Sequence, residues 1–385
     1  NNLGLVHRST GNLTEAARHF QNALAILSAL GDDEGQAAVL NNLASVLDAH
    51  GRYRDALTQS FKALDLRKKQ RDPFGIALSY FRLGWIYRHL GDLDHARSFA
   101  QKSHDLRVEV SDKLGLAHAL HLLGQIDLLQ GRYGQSLIRL RQSMTRFQSL
   151  GDRIGKVPLL LTTARLYIEL GFPDGATENL DQGENLADHH GLAGHRAEAR
   201  VIRAILKNAQ GDLYAAEELL REAEQLLKDE PSKKSLAEIL LLRAQVLLAL
   251  GNRSKSEDAL ERAYNLISEI DARDLAPSYF LLRARSTLAG QPLAHDTAEQ
   301  LLARAIAEAQ EISLRPLLAR LHLDFAELCG TRNALQAGRE HIARAEEILR
   351  QLEEGLPLRF QSSFAQSALA RRVRLEAERH AAATA

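Results

Sequence analysis

Seven glycines in this chain recur at one interval: Gly11, Gly51, Gly91, Gly131, Gly171, Gly211 and Gly251 lie 40 residues apart without a slip. A fixed period of that length marks an architecture of stacked units, each packed on its neighbours and not around one central core. Each glycine follows one apolar helical pattern and precedes another, as in "NNLASVLDAHGRYRDALTQSFKALDL". Five residues after it stands a small residue: Ala16, Ala56, Ala96, Ser136, Ala176, Ala216 or Ser256. A second small position precedes the turn by seven residues: Gly4, Ala44, Gly84, Gly124, Ala164, Ala204 and Ala244. Two helices of a hairpin approach closely only where side chains are small, so these positions mark helix crossings. Around them, Leu40, Leu43, Ala44 and Leu47 follow the i, i+3, i+4, i+7 stripe of a half-buried helix, and Tyr53, Ala56, Leu57, Phe61 and Leu64 do the same after the turn. The turn glycine supplies the left-handed residue that ends the first helix without Cβ strain.

The array runs past Gly251 with one defect. Ala284 continues the first-helix series, but Ala298 arrives two residues late, so "AGQPLAHDTAEQ" reads as a lengthened turn. The 40-residue step then resumes, from Ala298 to Gly338 and from Ala305 to Ala345. This predicts nine helix pairs, the first lacking the front half of its first helix. In the front of the chain Asp32, Asp72, Asp112 and Asp152 are each followed three residues later by a glycine, and are expected to cap the first helices. From Gly191 onward that signature fades. Pro (8) and aromatic residues (5%) are scarce, which favours helix over strand.

The two small positions, with Leu83-Gly84, Tyr87 and Ala96, resemble the tetratricopeptide-repeat consensus over residues 1–353. The period matches the 40-residue subtype found in cell-polarity adaptors and in the arms of bacterial multidomain signalling proteins. The resemblance implies an all-α, right-handed solenoid whose concave wall is built from the first helix of each pair. The segment 354–385 breaks the pattern. Leu356-Pro357 followed by Phe364 resembles the segment that closes such arrays, and a capping helix is expected around 358–380, because a solenoid end otherwise exposes its apolar face.

Chemistry of other kinds is poorly represented. Lys+Arg and Asp+Glu both total 49, which argues against a nucleic-acid partner. No apolar run reaches the roughly 18 residues of a membrane span. Cys329 is the sole cysteine, so an internal disulfide is excluded. "GDRIGK" at 151–156 has one residue too few for a phosphate loop, and Val157 where Ser or Thr is needed. His118 and His121 share a helical spacing, and His189-His190 adjoin a helix end, but neither pair brings further metal ligands with it. No catalytic residue, metal or cofactor is expected.

What remains is the concave wall. Carried over position by position, the resemblance places on it Asn2, Arg8, Asn41, Asn42, Ser45, Asp48, Phe81, Arg82, Trp85, Arg88, His121, Gln125 and Arg165. Aromatic and Arg anchors among polar residues are the mixture of a protein-recognition surface. The family often grips a ligand's backbone with an Asn before the Leu-Gly pair. Asn2 and Asn42 match that place, whereas Arg82, Leu122 and Thr162 depart from it. In the back half Leu161, Ile168, Val201, Ile205, Leu241, Leu248, Leu281 and Leu288 stand at equivalent positions, and are covered either by a partner or by tighter curvature of the array itself. The expected function is a non-catalytic scaffold or regulatory arm, holding a protein or peptide on the concave surface within a larger cytoplasmic bacterial signalling protein. The alternative is a peptide-pheromone or small-molecule sensor controlling an attached effector. Asn1 stands where an initiator Met would be, and the only Met is Met144, which suggests a piece of a longer chain.

Overall fold

The computed structural model describes residues 1–9, 12–228, 232–291, 293–332 and 334–382; Gly11, Pro292 of the lengthened turn and the last three residues of the tail lie outside them. Among the described residues there are twenty helices and no strand. They run as pairs: α1 (Asn2–Ser9) with α2 (Leu13–Leu30), α3 (Asp33–Ala49) with α4 (Tyr53–Gln70), α5 (Pro73–Leu90) with α6 (Leu93–Glu109), α7 (Lys113–Leu129) with α8 (Tyr133–Leu150), and α9 (Arg153–Glu169) with α10 (Pro173–His189). There follow α11 (Ala193–Ala209) with α12 (Leu213–Leu226), α13 (Lys233–Ala249) with α14 (Arg253–Ile270), α15 (Ala276–Gly290) with α16 (His295–Glu311), and α17 (Arg315–Thr331) with α18 (Leu335–Glu353). These are the nine pairs that the period predicts, and α1 is the half-length helix.

The crossings fall where the small residues are. Ala16, Ala44, Ala56, Ala96, Ala164, Ala176, Ala216 and Ala244 are all completely buried. A methyl group added at Gly84 would lie 3.0 Å from the Ala96 carbonyl oxygen and the Ala100 nitrogen, so backbone faces backbone there. Where the second helix carries Ser instead of Ala, its hydroxyl donates across the crossing. Ser136 donates to the Gly124 carbonyl and Ser256 to the Ala244 carbonyl, each at 2.8 Å. The junction aspartates cap as expected: Asp32, Asp72, Asp112 and Asp152 accept from the glycine amides three residues on, at 2.8–3.0 Å. Helix α11, after the signature fades, has no side-chain cap.

First helices of neighbouring pairs also pack on one another, α3 on α5 and so on through α13 on α15, which sets them on the inside of the curve. The curve is tight enough that the array stacks on itself. A methyl at Gly51 would fall 2.6 Å from Ile270 Cγ2, and one at Gly91 would fall 2.7 Å from the Asp274 amide nitrogen. Gly131 abuts Leu352 and Pro316, and Gly171 abuts Ser363 and Ser367. Each hairpin turn of pairs two to five thus sits on the inter-pair junction about five pairs further along. Gly211 and Gly251, in pairs six and seven, have nothing within 4 Å. Arg54 pairs with Asp271 at 2.6 Å across the same seam. The core crosses it as well, joining Leu93 and Ile126 of the first superhelical turn to Ile312 and Leu318 of the second.

The closing segment is two helices instead of one, α19 (Leu358–Ala365) and α20 (Ala368–Ala382), and α20 packs on α17 and α18. Phe360, Phe364 and Val373 are buried with Tyr133, Leu166 and Leu170 of the first turn, so the segment takes the place a tenth pair would hold. The back-half apolar residues are covered internally. Leu161, Val201, Leu241 and Leu281 are 0–6% exposed, the first three in clusters with their own and neighbouring pairs and Leu281 in the core that crosses the seam. Ile168, Ile205, Leu248 and Leu288 are half-buried. The curvature of the array covers these residues wholly or in part.

Candidate functional site

Because first helices line the inside of the coil, the charged and aromatic residues on their inner faces converge along its concave groove. At its front, Asp48 of α3 is bonded to His89 of α5, with Nδ1 2.7 Å from Oδ1. Arg88 approaches the other ring nitrogen at 3.1 Å. An arginine can only donate, so His89 accepts at Nε2 and its Nδ1–H donates to Asp48. Burial pushes the His89 pKa down, against the pull of Asp48. Burial alone would raise Asp48, but His89, Arg82 and Arg88 hold its pKa below the usual carboxylate range. The Arg88 guanidinium also lies 4.8 Å from the centre of the Trp85 indole, a cation–π contact, and Phe81 stands 6.2 Å from Trp85.

Further along, Arg165 of α9 reaches past α11 to Glu238 of α13 at 2.6 Å. Glu198 of α11 stands near both without a hydrogen-bond or ion-pair partner among the described residues. Burial raises its pKa, although His195 and Arg165 oppose the shift. Lys234, at the start of α13, donates to the His89 carbonyl at 2.7 Å and to Asp274 at 2.8 Å, tying the second superhelical turn to the first. On the inner face of α7, His121 is 4% exposed and its Nε2 lies 2.9 Å from Thr162 Oγ1. Thr162 spends its own proton on the Pro158 carbonyl, so His121 is the donor. Gln125 donates to the same hydroxyl at 3.3 Å, leaving its Oε1 without a partner.

The thirteen residues marked by sequence separate into three groups. Arg82, Trp85, Arg88, His121, Gln125, Arg165 and Asp48 belong to the groove and its networks, with Phe81 beside Trp85 and Ser45 half-buried on the same helix as Asp48. Asn2 and Arg8 are exposed on the truncated first helix, and Asn42 donates to the Asn1 side chain at 3.1 Å. Asn41 is buried, and in its satisfied orientation its amide oxygen accepts from Arg67 at 2.6 Å, between pairs and away from the groove. The two histidines at helical spacing serve different neighbours, since His118 packs edge-on against Phe147 with ring centres 5.0 Å apart. Sequence reasoning passed over His89, Glu198, Lys234, Glu238 and Asp274. For Glu198, Lys234 and Glu238 the available signal is charge at the inward positions of α11 and α13, set among apolar residues.

A family model described as tetratricopeptide repeat matches residues 1–69 and 75–149. Among solved structures, the Rap conjugation gene regulator of plasmid pLS20, in complex with the Phr* peptide, is 15% identical, with 90% of this chain and 98% of that one covered at a TM-score of 0.63. A Rap protein complexed with Competence and Sporulation Factor is 16% identical over 90% and 99% of the two chains, at 0.58. Aspartyl phosphate phosphatase F from Bacillus subtilis is 16% identical over 92% and 94%, at 0.53. At these identities the likeness is one of fold. The front of the chain, residues 1–149, thus matches the tetratricopeptide-repeat model, and the same helix-pair fold continues to Glu353.

Proposed function

We propose that this chain is a non-catalytic interaction scaffold that holds a peptide in its inner groove, as part of a larger cytoplasmic bacterial signalling protein. The observation that carries the reading is the placement of Phe81, Trp85 and Arg88 together on the inner face of α5, with the Arg88 guanidinium 4.8 Å from the Trp85 ring centre and Gln125 of α7 on the next first helix. Arg82 Nε, Arg88 Nε and Gln125 Oε1 have no hydrogen-bond partner among the described residues. Buried donors and acceptors in folded proteins are nearly always matched, and an unmatched one costs about 1–3 kcal/mol. An extended peptide carries a carbonyl and an amide at every residue, which suits such a row. Trp85 supplies a broad apolar face beside it, and Glu198 an unpaired carboxylate for a ligand's cationic group.

Two of the structural neighbours are complexes whose second component is named as Phr* peptide or Competence and Sporulation Factor, which supports the sensor variant of the reading, in which the bound peptide controls an attached effector. Another neighbour is named a phosphatase, so the fold by itself is neutral on catalysis. The non-catalytic reading rests on the groove's ionisable groups, Glu198 apart, being engaged in structural networks: Asp48 with His89, Arg165 with Glu238, and Lys234 with Asp274. The test is selection of a displayed random-peptide library on the purified chain, followed by affinity measurement against a Trp85→Ala, Arg88→Ala variant. Selected peptides should bind the variant at least about tenfold more weakly, the equivalent of losing one anchor worth 1.4 kcal/mol. Equal affinity for both would reject the groove.

A further inference from the structure

Three arginines hold one place in successive repeats: Arg203 of α11, Arg243 of α13 and Arg283 of α15 stand 40 residues apart. The first two reach back to the second helix of the preceding pair. Arg203 donates to Glu184 at 2.5 Å and to Asp181 at 2.8 Å. Arg243 donates to Glu224 at 2.5 Å and to Glu217 at 2.6 Å. Glu184 and Glu224 are likewise 40 residues apart, and the next residue of that series is Tyr264. Glu257 keeps the place of Glu217, but Arg253 pairs with it at 2.8 Å and the Ser286 hydroxyl donates to it at 3.3 Å. Arg283 is exposed, and among the described residues its guanidinium makes no ion pair or hydrogen bond.

The exchange of a carboxylate for a ring comes with a cleft. Between α14, α15 and α16 lies a hollow of about 440 Å³, whose walls include Arg253, Tyr264, Tyr279, Phe280, Arg283 and Thr287. That is the size of a small-molecule site. An adjoining hollow of about 330 Å³ shares the three rings. Tyr264 and Tyr279 have ring centres 4.9 Å apart, and Phe280 stands 5.2 Å from Tyr279. Tyr279 also departs from the repeat, since Ala199 and Ile239 at the same place are wholly buried while Tyr279 is half-buried. Tyr264 is exposed, so its ring is available to a ligand. Arg253 lies over Gly290, where a methyl group would fall 1.7 Å from its guanidinium carbon, and its buried Nε has no partner among the described residues. Pairs seven and eight supply all of these walls, and the cleft opens between two second helices, on the side of the array away from the concave groove.

A guanidinium meets carboxylate and phosphate oxygens through the same planar fork, and tyrosine and phenylalanine faces take planar rings. We propose that this cleft binds a small aromatic anion. Its carboxylate or phosphate meets Arg283 as Glu184 meets Arg203 and Glu224 meets Arg243, and its ring lies against Tyr264 and Tyr279. The ligand thus completes an ion pair that the two preceding repeats complete from within the chain. The site is separate from the groove proposed for a peptide, and neither depends on the other.

Ligand-observed NMR titrations on the purified chain test this, with benzoate and phenyl phosphate as probes. Benzyl alcohol serves as a ring without charge, and acetate and inorganic phosphate as anions without a ring. At least one aromatic anion should bind at least about tenfold more tightly than all three controls, and the tighter of the two shows which oxyanion the cleft prefers. Arg283→Gln should weaken that binding at least about tenfold, to the level of benzyl alcohol. Tyr264→Glu, which restores the carboxylate of the preceding repeats, should do the same by engaging Arg283 from within. Both altered side chains are exposed, and circular dichroism should show both variants folded. The proposal is overturned if neither aromatic anion outbinds the controls, or if the affinity is unchanged in either variant.

Discussion

The Lys234 ammonium donates to the carbonyl of His89, 2.7 Å away and 145 residues earlier in the chain, while Asp274 accepts from it on the other side. That contact joins the last turn of α5 to the first turn of α13, and it exists only because the array has coiled through a full superhelical turn. Removing one member of a buried pair leaves the other uncompensated, at a cost of about 3–5 kcal/mol. Lys234→Ala should therefore lower stability by an amount near that range in urea denaturation. It should also raise the radius of gyration in small-angle X-ray scattering, as the seam loosens.

A pair of glycine substitutions separates local strain from the seam. Gly131 and Gly211 both sit at positive φ, 71° and 85°, so alanine costs each about 1 kcal/mol in backbone strain. Gly131 also abuts Leu352 and Pro316, whereas Gly211 has nothing within 4 Å. Gly131→Ala should thus destabilise by about 1–3 kcal/mol more than Gly211→Ala, the usual range for overpacking. Equal losses in urea melts would mean that Gly131 touches nothing in solution.

Crossing geometry predicts a third difference. At Gly84 any side chain meets the backbone of α6 at 3.0 Å, and backbone cannot rotate aside. At Gly124 the nearest obstacle is the Leu140 side chain, which can shift. Gly84→Ala should cost more than Gly124→Ala, by about 1 kcal/mol or more, in the same denaturation assay.

Acid should weaken the fold through its buried imidazoles. Burial lowers the His121 pKa from 6.5 to about 3, and burial together with His341 and Arg344 lowers His322 to about 4. The unfolded chain then binds more protons than the folded one between these values and 6.5, so stability rises with pH across that window and is lost as pH falls through it. His121 alone accounts for about 2 kcal/mol between pH 7 and pH 5. His121→Gln, which can still donate to Thr162, should be less stable at pH 7 but show a flatter decline on acidification in urea melts at each pH.

The sequence carries local geometry well and cumulative geometry poorly. A small residue five positions after a glycine has a local meaning, and Ala16, Ala56 and Ala96 are buried where that meaning puts them. The same holds for Asp32 and its three counterparts, because an N-cap involves four consecutive residues. The seam between Gly51 and Ile270 has no local signature, since it depends on a small rotation per pair summed over five pairs. For that reason the apolar residues of the back half could be read equally as an open groove or an internal core. It is the summed curvature that buries Leu161 and Leu241. Asn41 went to Arg67 instead of the groove because Arg67 is itself buried by the next pair, where it donates to the Gly75 carbonyl and Ser79. Position in the repeat alone does not show that.

The closed coil is tested most directly by a distance across the seam. Spin labels at Arg54→Cys and Asp271→Cys, which pair at 2.6 Å and leave both side chains accessible, can be read by pulsed electron paramagnetic resonance with buried Cys329 replaced by Ser. A coil stacked on itself gives one narrow distribution at the short end of the method's range. A long, broad distribution would mean an open rod, with Arg54 and Asp271 separated by the length of five repeats, and the seam of Gly51 on Ile270 and Lys234 on His89 would not exist.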